Sequence, residues 1–237
     1  MTISGYLELL SLDLLALIWF LVCFNGYASY ARKASYREPC LASVMHLYRT
    51  EWMKEMLLRD VRVADTTTVA NLERGVTFFA STTMLILAGL MTLITRGETA
   101  MGLLASVPGA QMLSSLQWDI RILAMMVLFV YAFFKFTWSL RQYGFVSVMI
   151  GGAPLLTEER TREIDVHASR IAKMASMAAN NFNTGLRSYY FAIAMLGWLI
   201  HSALFIALAL TVVWILYRRE FTSSTLKTLG HTEDFQR

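Results

Sequence analysis

The sequence predicts an all-α fold: a polytopic membrane four-helix bundle with two cytoplasmic amphipathic helical extensions. Three observations predict it. With 56% hydrophobic residues, 16% charged residues and a mean hydropathy of +0.48, the chain of 237 residues is too apolar for a soluble domain. Four stretches are long enough to cross a hydrocarbon core of about 30 Å, which takes roughly 20 helical residues. Between them, two long polar segments repeat apolar residues at helical spacing.

The four spans are expected at about 7–27, 76–95, 120–140 and 186–217. Each must be helical, because lipid offers a lone segment no other way to satisfy its backbone. The N-terminus "MTISGYLELLSLDLL" has no basic region and no small-residue cleavage motif, so the first span is expected to stay in the protein. The first extension is expected over 41–70, started by Pro39 and presenting Leu41, Met45, Tyr48, Trp52, Met56 and Val63 at spacings near three, four and seven. Thr66 to Thr68 loosen that helix without forbidding it to run on into the second span. The second extension is expected over 157–183, with Thr157 as N-cap, Glu158 and Glu159 in the first turn, and Ile164, Ile171, Met174, Ala175 and Ala178 on one face. All of this makes one integral membrane domain.

Charge sets the orientation. Arg32, Lys33, Arg37, Arg49, Lys54, Arg59 and Arg62 fill the first loop, and Arg141, Arg160, Arg162, Arg170, Lys173 and Arg187 fill or close the third, against Arg96 alone in the second. By the positive-inside rule both long loops are cytoplasmic and the N-terminus is outside, in a bacterial cytoplasmic membrane. Four spans then put the C-terminal tail outside, although it carries Arg218, Arg219, Lys227 and Arg237. The net charge of +4 collects beside the spans, which points to topology and to membrane lipid as a partner, and away from nucleic acid.

Ionisable and polar groups inside spans are the functional pointers in such a chain, because burying them in lipid is costly. Asp13 and Arg121 lie towards the outer ends of the first and third spans and form a candidate structural ion pair. His201 falls near the middle of the predicted last span, and Ser81, Thr82 and Thr83 sit about two turns inside the second. These four residues are the candidate pore or polar core, with helix packing as the competing reading, since hydroxyls also bond back to the preceding turn. In "NNFNTGLRSYYF" the polar residues Asn180, Asn183, Thr184 and Arg187 recur at spacings near three and four, and Tyr190 continues the row. With Arg141 they make a candidate seam for an anion or a lipid headgroup, while Gly185 permits close helix approach or a bend.

No catalytic signature is present: there is no HExxH, CxxC, P-loop or GxSxG motif, and Cys23 and Cys40 read as reduced packing residues. No metal and no cofactor is expected, since a bis-histidine haem would need a second intramembrane histidine and His46, His167 and His231 fall outside the spans.

Four strings in order, "EWMKEMLLRDVRVAD", "FFASTTMLILAGL", "FKFTWSLRQYGF" and "NNFNTGLRSYYFAIAMLGW", resemble the uncharacterised four-span membrane proteins of domain-of-unknown-function family five-nine-nine. The resemblance runs from Leu12 to Arg218 and implies the span number but no activity. It directs attention to Trp52, Arg59, Asp65, Phe78, Phe79, Ser81, Thr82, Thr83, Trp138, Arg141, Gly185, Arg187, Tyr189 and Tyr190. Three functions fit the residues: a homo-oligomeric channel or ion pathway, an accessory or assembly subunit of a larger membrane complex, and an anionic-lipid-binding membrane protein.

Overall fold

A computed structural model describes residues 3–34, 39–153 and 161–230, and all regular structure among them is α-helical. In chain order the helices are α1 (Ile3–Ala34), α2 (Leu41–Leu57), α3 (Val63–Thr95), α4 (Gly97–Ala105), α5 (Ser115–Gly151), α6 (Thr161–Ile200), α7 (Ser202–Phe221) and α8 (Ser224–Gly230). Four stretches are long and apolar enough to cross a membrane: Leu12–Ala31, Val63–Thr95, Ser115–Gly151 and Ser202–Leu229. The all-α membrane fold is therefore as the composition predicts. The cap expected at Thr157, with Glu158 and Glu159, lies outside the described residues.

The expected boundaries change in two places. The segment 41–70 is not one helix. α2 stops at Leu57 and α3 starts at Val63, which is 67% exposed and so leaves the face on which it was expected. Cys40, not Pro39, starts α2: its Sγ accepts from the Ser43 N–H at 3.4 Å, and its own N–H donates to Ser43 Oγ at 2.9 Å. At the other side of the gap, Thr66, Thr67 and Thr68 donate to the carbonyls of Arg62, Val63 and Ala64, so these β-branched residues sit inside α3 without breaking it.

The second change is larger. The expected span 186–217 is two helices, because α6 ends at Ile200 and α7 begins at Ser202. Around His201 the chain reverses: Trp198 stacks on Phe205 at 5.0 Å, a Cβ on Gly197 would meet Leu208 Cδ1 at 2.5 Å, and Arg219 Nη1 donates to Tyr190 Oη at 2.8 Å. Residues 197 and 208 would stand roughly 16 Å apart along one straight helix, so these pairs require an antiparallel hairpin.

The chain packs as two units. The first comprises Met1–Arg37, Leu85–Tyr131 and Arg187–Arg219. Its core gathers Phe20, Trp118, Met125, Phe129, Phe191, Trp198 and Phe205. Phe20 meets Phe205 at 5.4 Å and Tyr30 meets Tyr217 at 6.1 Å, so α7 runs parallel to α1. The α6 part runs antiparallel, with Phe24 on Phe191 at 5.2 Å and the Arg187 guanidinium over the Tyr27 ring at 5.8 Å.

The second unit comprises Glu38–Met84, Ala132–Leu186 and Glu220–Arg237. Phe79, Phe136 and Phe182 meet pairwise at 5.6 to 5.7 Å, and the buried Phe136 ring lies on Gly185, where a Cβ would come within 2.4 Å of it. Gly185 thus serves close approach, as the sequence suggests. Asp65 joins α2 to α3: its Oδ1 accepts from Trp52 Nε1 at 2.7 Å and Arg59 Nη1 at 2.8 Å, while its buried Oδ2 has no partner among the described residues. Arg62 closes the end of α5 by donating to the Ala153 carbonyl at 2.8 Å. On α6, Ile171, Ala175 and Ala178 are buried, and Asn181 Nδ2 donates to Gln142 Oε1 at 2.8 Å. The tail also belongs here, since the Ala42 N–H donates to Glu220 Oε1 at 3.1 Å and Tyr48 Oη to the Leu229 carbonyl at 3.3 Å.

Within the first unit Tyr217 lies beside Tyr30, and within the second Leu229 lies beside Tyr48.

Candidate functional site

A densely bonded polar group lies in the first unit, where α1, α5 and the α6–α7 turn meet. Asp13 and Arg121 are brought together at 2.7 Å, with Arg121 only 1% exposed. The same Asp13 oxygen accepts from Ser202 Oγ at 2.6 Å and Trp198 Nε1 at 3.0 Å, and the other accepts from Gln117 Nε2 at 3.3 Å. Arg121 also donates to the Trp198 carbonyl and stands 5.4 Å from the Trp198 ring centroid. Gln111 completes the group: its N–H donates to the Ile200 carbonyl at 2.9 Å and its Oε1 is 3.4 Å from Arg121 Nη2. A carboxylate with three donors on one oxygen and an arginine inside apolar helices is a charge-neutral clamp, and it clamps the α6–α7 turn.

The candidate pore residues fall in different units, Ser81, Thr82 and Thr83 in the second and His201 in the first. Thr82 Oγ1 donates to the Phe78 carbonyl at 2.8 Å and Thr83 Oγ1 to the Phe79 carbonyl at 2.6 Å, both within their own helix. Thr83 is buried, while Ser81 is exposed. His201 is not mid-helix. It is the single residue between α6 and α7, its N–H donating to the Gly197 carbonyl at 2.9 Å and its Nδ1 accepting from the Ala203 N–H at 3.0 Å, which caps α7.

The candidate seam is likewise divided. Thr184 Oγ1 donates to the Asn180 carbonyl at 2.8 Å, and the exposed Arg141 lies over the Phe145 ring at 5.6 Å. Asn183 is half-buried. Arg187 and Tyr190 belong instead to the first unit, where each meets a residue that the sequence did not place in the seam. Arg187 lies over Tyr27, and the hydroxyl of Tyr190 accepts from Arg219, whose guanidinium is 5.7 Å from the same ring. Arg218 completes the group, 5.5 Å from the Trp214 ring. Three arginines on three aromatic rings therefore collect where α1 and α7 end and the last stretch of α6 begins. Only the pairing of charge with interfacial aromatics, which is visible in "VVWILYRRE", could have signalled Trp214 and Arg218 in advance.

The fold and these sites define an all-α membrane protein with four helices fit to span a bilayer. The chain belongs to the family described as "Protein of unknown function, DUF599", whose pattern matches residues 15–225. No curated protein and no solved structure matches it.

Proposed function

We propose that the chain is an anionic-phospholipid-binding protein of the cytoplasmic membrane, with its N-terminus outside and its first loop, third loop and C-terminal helix all cytoplasmic. One observation carries the reading: Arg187, Arg218 and Arg219 each sit over an aromatic ring, where α1 and α7 end and the last stretch of α6 begins. Aromatic faces hold guanidinium groups without neutralising them, which leaves N–H donors for a phosphate.

The hairpin supports this orientation. With α6 and α7 counted as separate passes, Arg218, Arg219 and Lys227 join the basic loops on one side, and the charge conflict of a four-pass chain disappears. α6 is one helix of 40 residues, about 60 Å long, so its polar Asn180–Arg187 stretch does not prevent a pass.

The channel reading has less support, because Thr82, Thr83 and His201 spend their polar groups on their own helix or its cap. An accessory subunit would also expose apolar faces to lipid or protein, but the arginine–aromatic set gives lipid a specific place.

Neutralising all three arginines to glutamine should remove about 1 kcal/mol of anionic-lipid attraction per residue, or roughly a hundredfold in all. The measurement is retention of phosphatidylglycerol over phosphatidylcholine by the purified protein in mild detergent, with folding checked by circular dichroism. Equal retention by the wild type and the triple variant would refute the reading.

A further inference from the structure

The same end of the first unit carries a groove that the arginines alone do not explain. It has a volume of about 430 Å³ and runs between α1 and α7, walled by Gly26, Tyr27, Tyr30, Val213, Trp214 and Tyr217. Trp214 is 58% exposed, Tyr30 46% and Tyr217 42%, so large apolar faces open onto it. At Gly26 no atom lies within 4 Å of where a Cβ would stand, which makes that part of the wall open space. A volume in this range suits a small-molecule site, roughly 300–1,000 Å³.

Charge and groove share their residues. Tyr27 and Trp214 line the groove, and these are the two rings that carry Arg187 and Arg218. Among the described residues the ion pairs are Lys54–Asp165, Arg59–Asp65 and Arg121–Asp13, so neither arginine has a carboxylate partner. A ligand that satisfies both parts must be anionic at one end and a long apolar chain at the other. Inorganic phosphate satisfies only the arginines, and a neutral hydrocarbon only the groove.

We infer that the groove holds a single anionic glycerophospholipid, one acyl chain lying between α1 and α7 and its phosphate on Arg187 and Arg218. This inference rests on the lipid-binding reading above and makes it a stoichiometric site, distinct from general attraction to a charged leaflet. Gly26 is what keeps the chain's place open. A Cβ added there meets no protein atom within 4 Å.

The test fills the groove and leaves the arginines intact. Wild-type protein, Gly26→Leu and Val213→Trp are each titrated in mixed micelles with phosphatidylglycerol of sixteen-carbon chains, phosphatidylglycerol of six-carbon chains, and inorganic phosphate. Bound molecules are counted by native mass spectrometry. The wild type is expected to saturate with one long-chain lipid. Each filled variant should bind it roughly tenfold to a hundredfold more weakly, as expected for two or three methylenes displaced from the groove. Short-chain lipid and inorganic phosphate should bind the wild type no better than they bind the variants.

Wild-type affinity in both filled variants would overturn the groove while leaving the arginine reading intact. Lipid binding that survives neutralisation of the arginines would defeat that reading itself. Saturation by inorganic phosphate would assign the arginines to a soluble anion and overturn the inference, as would a lipid-free dimer that closes the groove with a second copy of the chain.

Discussion

Asp13→Ala is expected to destabilise the protein by about 3–5 kcal/mol, the cost of leaving a buried charge without its partner. Arg121 is 1% exposed, and among the described residues its Nε has no hydrogen bond and Asp13 is the one carboxylate on it. Removing Asp13 also releases Ser202 Oγ and Trp198 Nε1, so the loss falls on the α6–α7 turn as well as on the arginine. A solvated pair would behave differently, costing about 0–1 kcal/mol. Reversible unfolding in detergent measures the difference. Asp13→Leu combined with Arg121→Met should recover most of the loss, because two apolar side chains leave no orphaned charge. A loss under about 1 kcal/mol for Asp13→Ala would mean that the pair is not buried as described.

Gly185→Leu should also destabilise strongly, at the upper end of the roughly 1–3 kcal/mol typical of overpacking. A Cβ at this position meets Phe136 Cε1 at 2.4 Å, Cζ at 2.7 Å and Cδ1 at 2.8 Å. The ring has no room to withdraw, since Phe136 is fully buried between Phe79 and Phe182. Two effects oppose each other here, because replacing a helical glycine gains up to about 1 kcal/mol of helix propensity. The clash wins at Gly185. At Gly75, where no atom lies within 4 Å of an added Cβ, propensity should win and Gly75→Ala should stabilise. Phe136→Ala in the Gly185→Leu background should restore part of the lost stability, a coupling read from the double-mutant cycle. Equal effects at Gly75 and Gly185 would remove the close-packing explanation.

Much of the fold is legible in the sequence because apolar length is a direct physical requirement of a bilayer. The helical class and the apolar cores of α1, α3 and α5 follow from it. Asp13 and Arg121 are legible for a related reason, since two opposite charges at similar depth in apolar segments have few alternatives to one another. The turn at His201 is not legible. It uses neither proline nor glycine at the break, and the apolar run continues on both sides, so no composition signal marks it. Its polar groups are satisfied by Asp13, Arg121 and Gln111, which are distant in sequence. The one symptom is the charge conflict that Arg218, Arg219 and Lys227 create for a four-pass topology.

The split between α2 and α3 was hidden in the same way. Leu57 and Leu58 prolong the apolar pattern, whereas the break depends on Arg59 reaching Asp65 and Arg62 reaching the Ala153 carbonyl. The arginine–aromatic site was half legible. Arg187 and Tyr190 stood out in "NNFNTGLRSYYF", but their partners Tyr27 and Arg219 come from other helices, and periodicity along one segment cannot report them.

The side of the membrane reached by the C-terminus tests the account most directly, because the arginine site needs the end of α7 on the anionic, cytoplasmic face. Two C-terminal fusions to the full chain in a bacterial host suffice: a fluorescent protein that matures only in the cytoplasm, and alkaline phosphatase, which is active only outside it. The hairpin at His201 predicts a fluorescent first fusion and an inactive second. An active phosphatase with a dark fluorescent fusion would put Arg218 and Arg219 at the outer face and contradict the account.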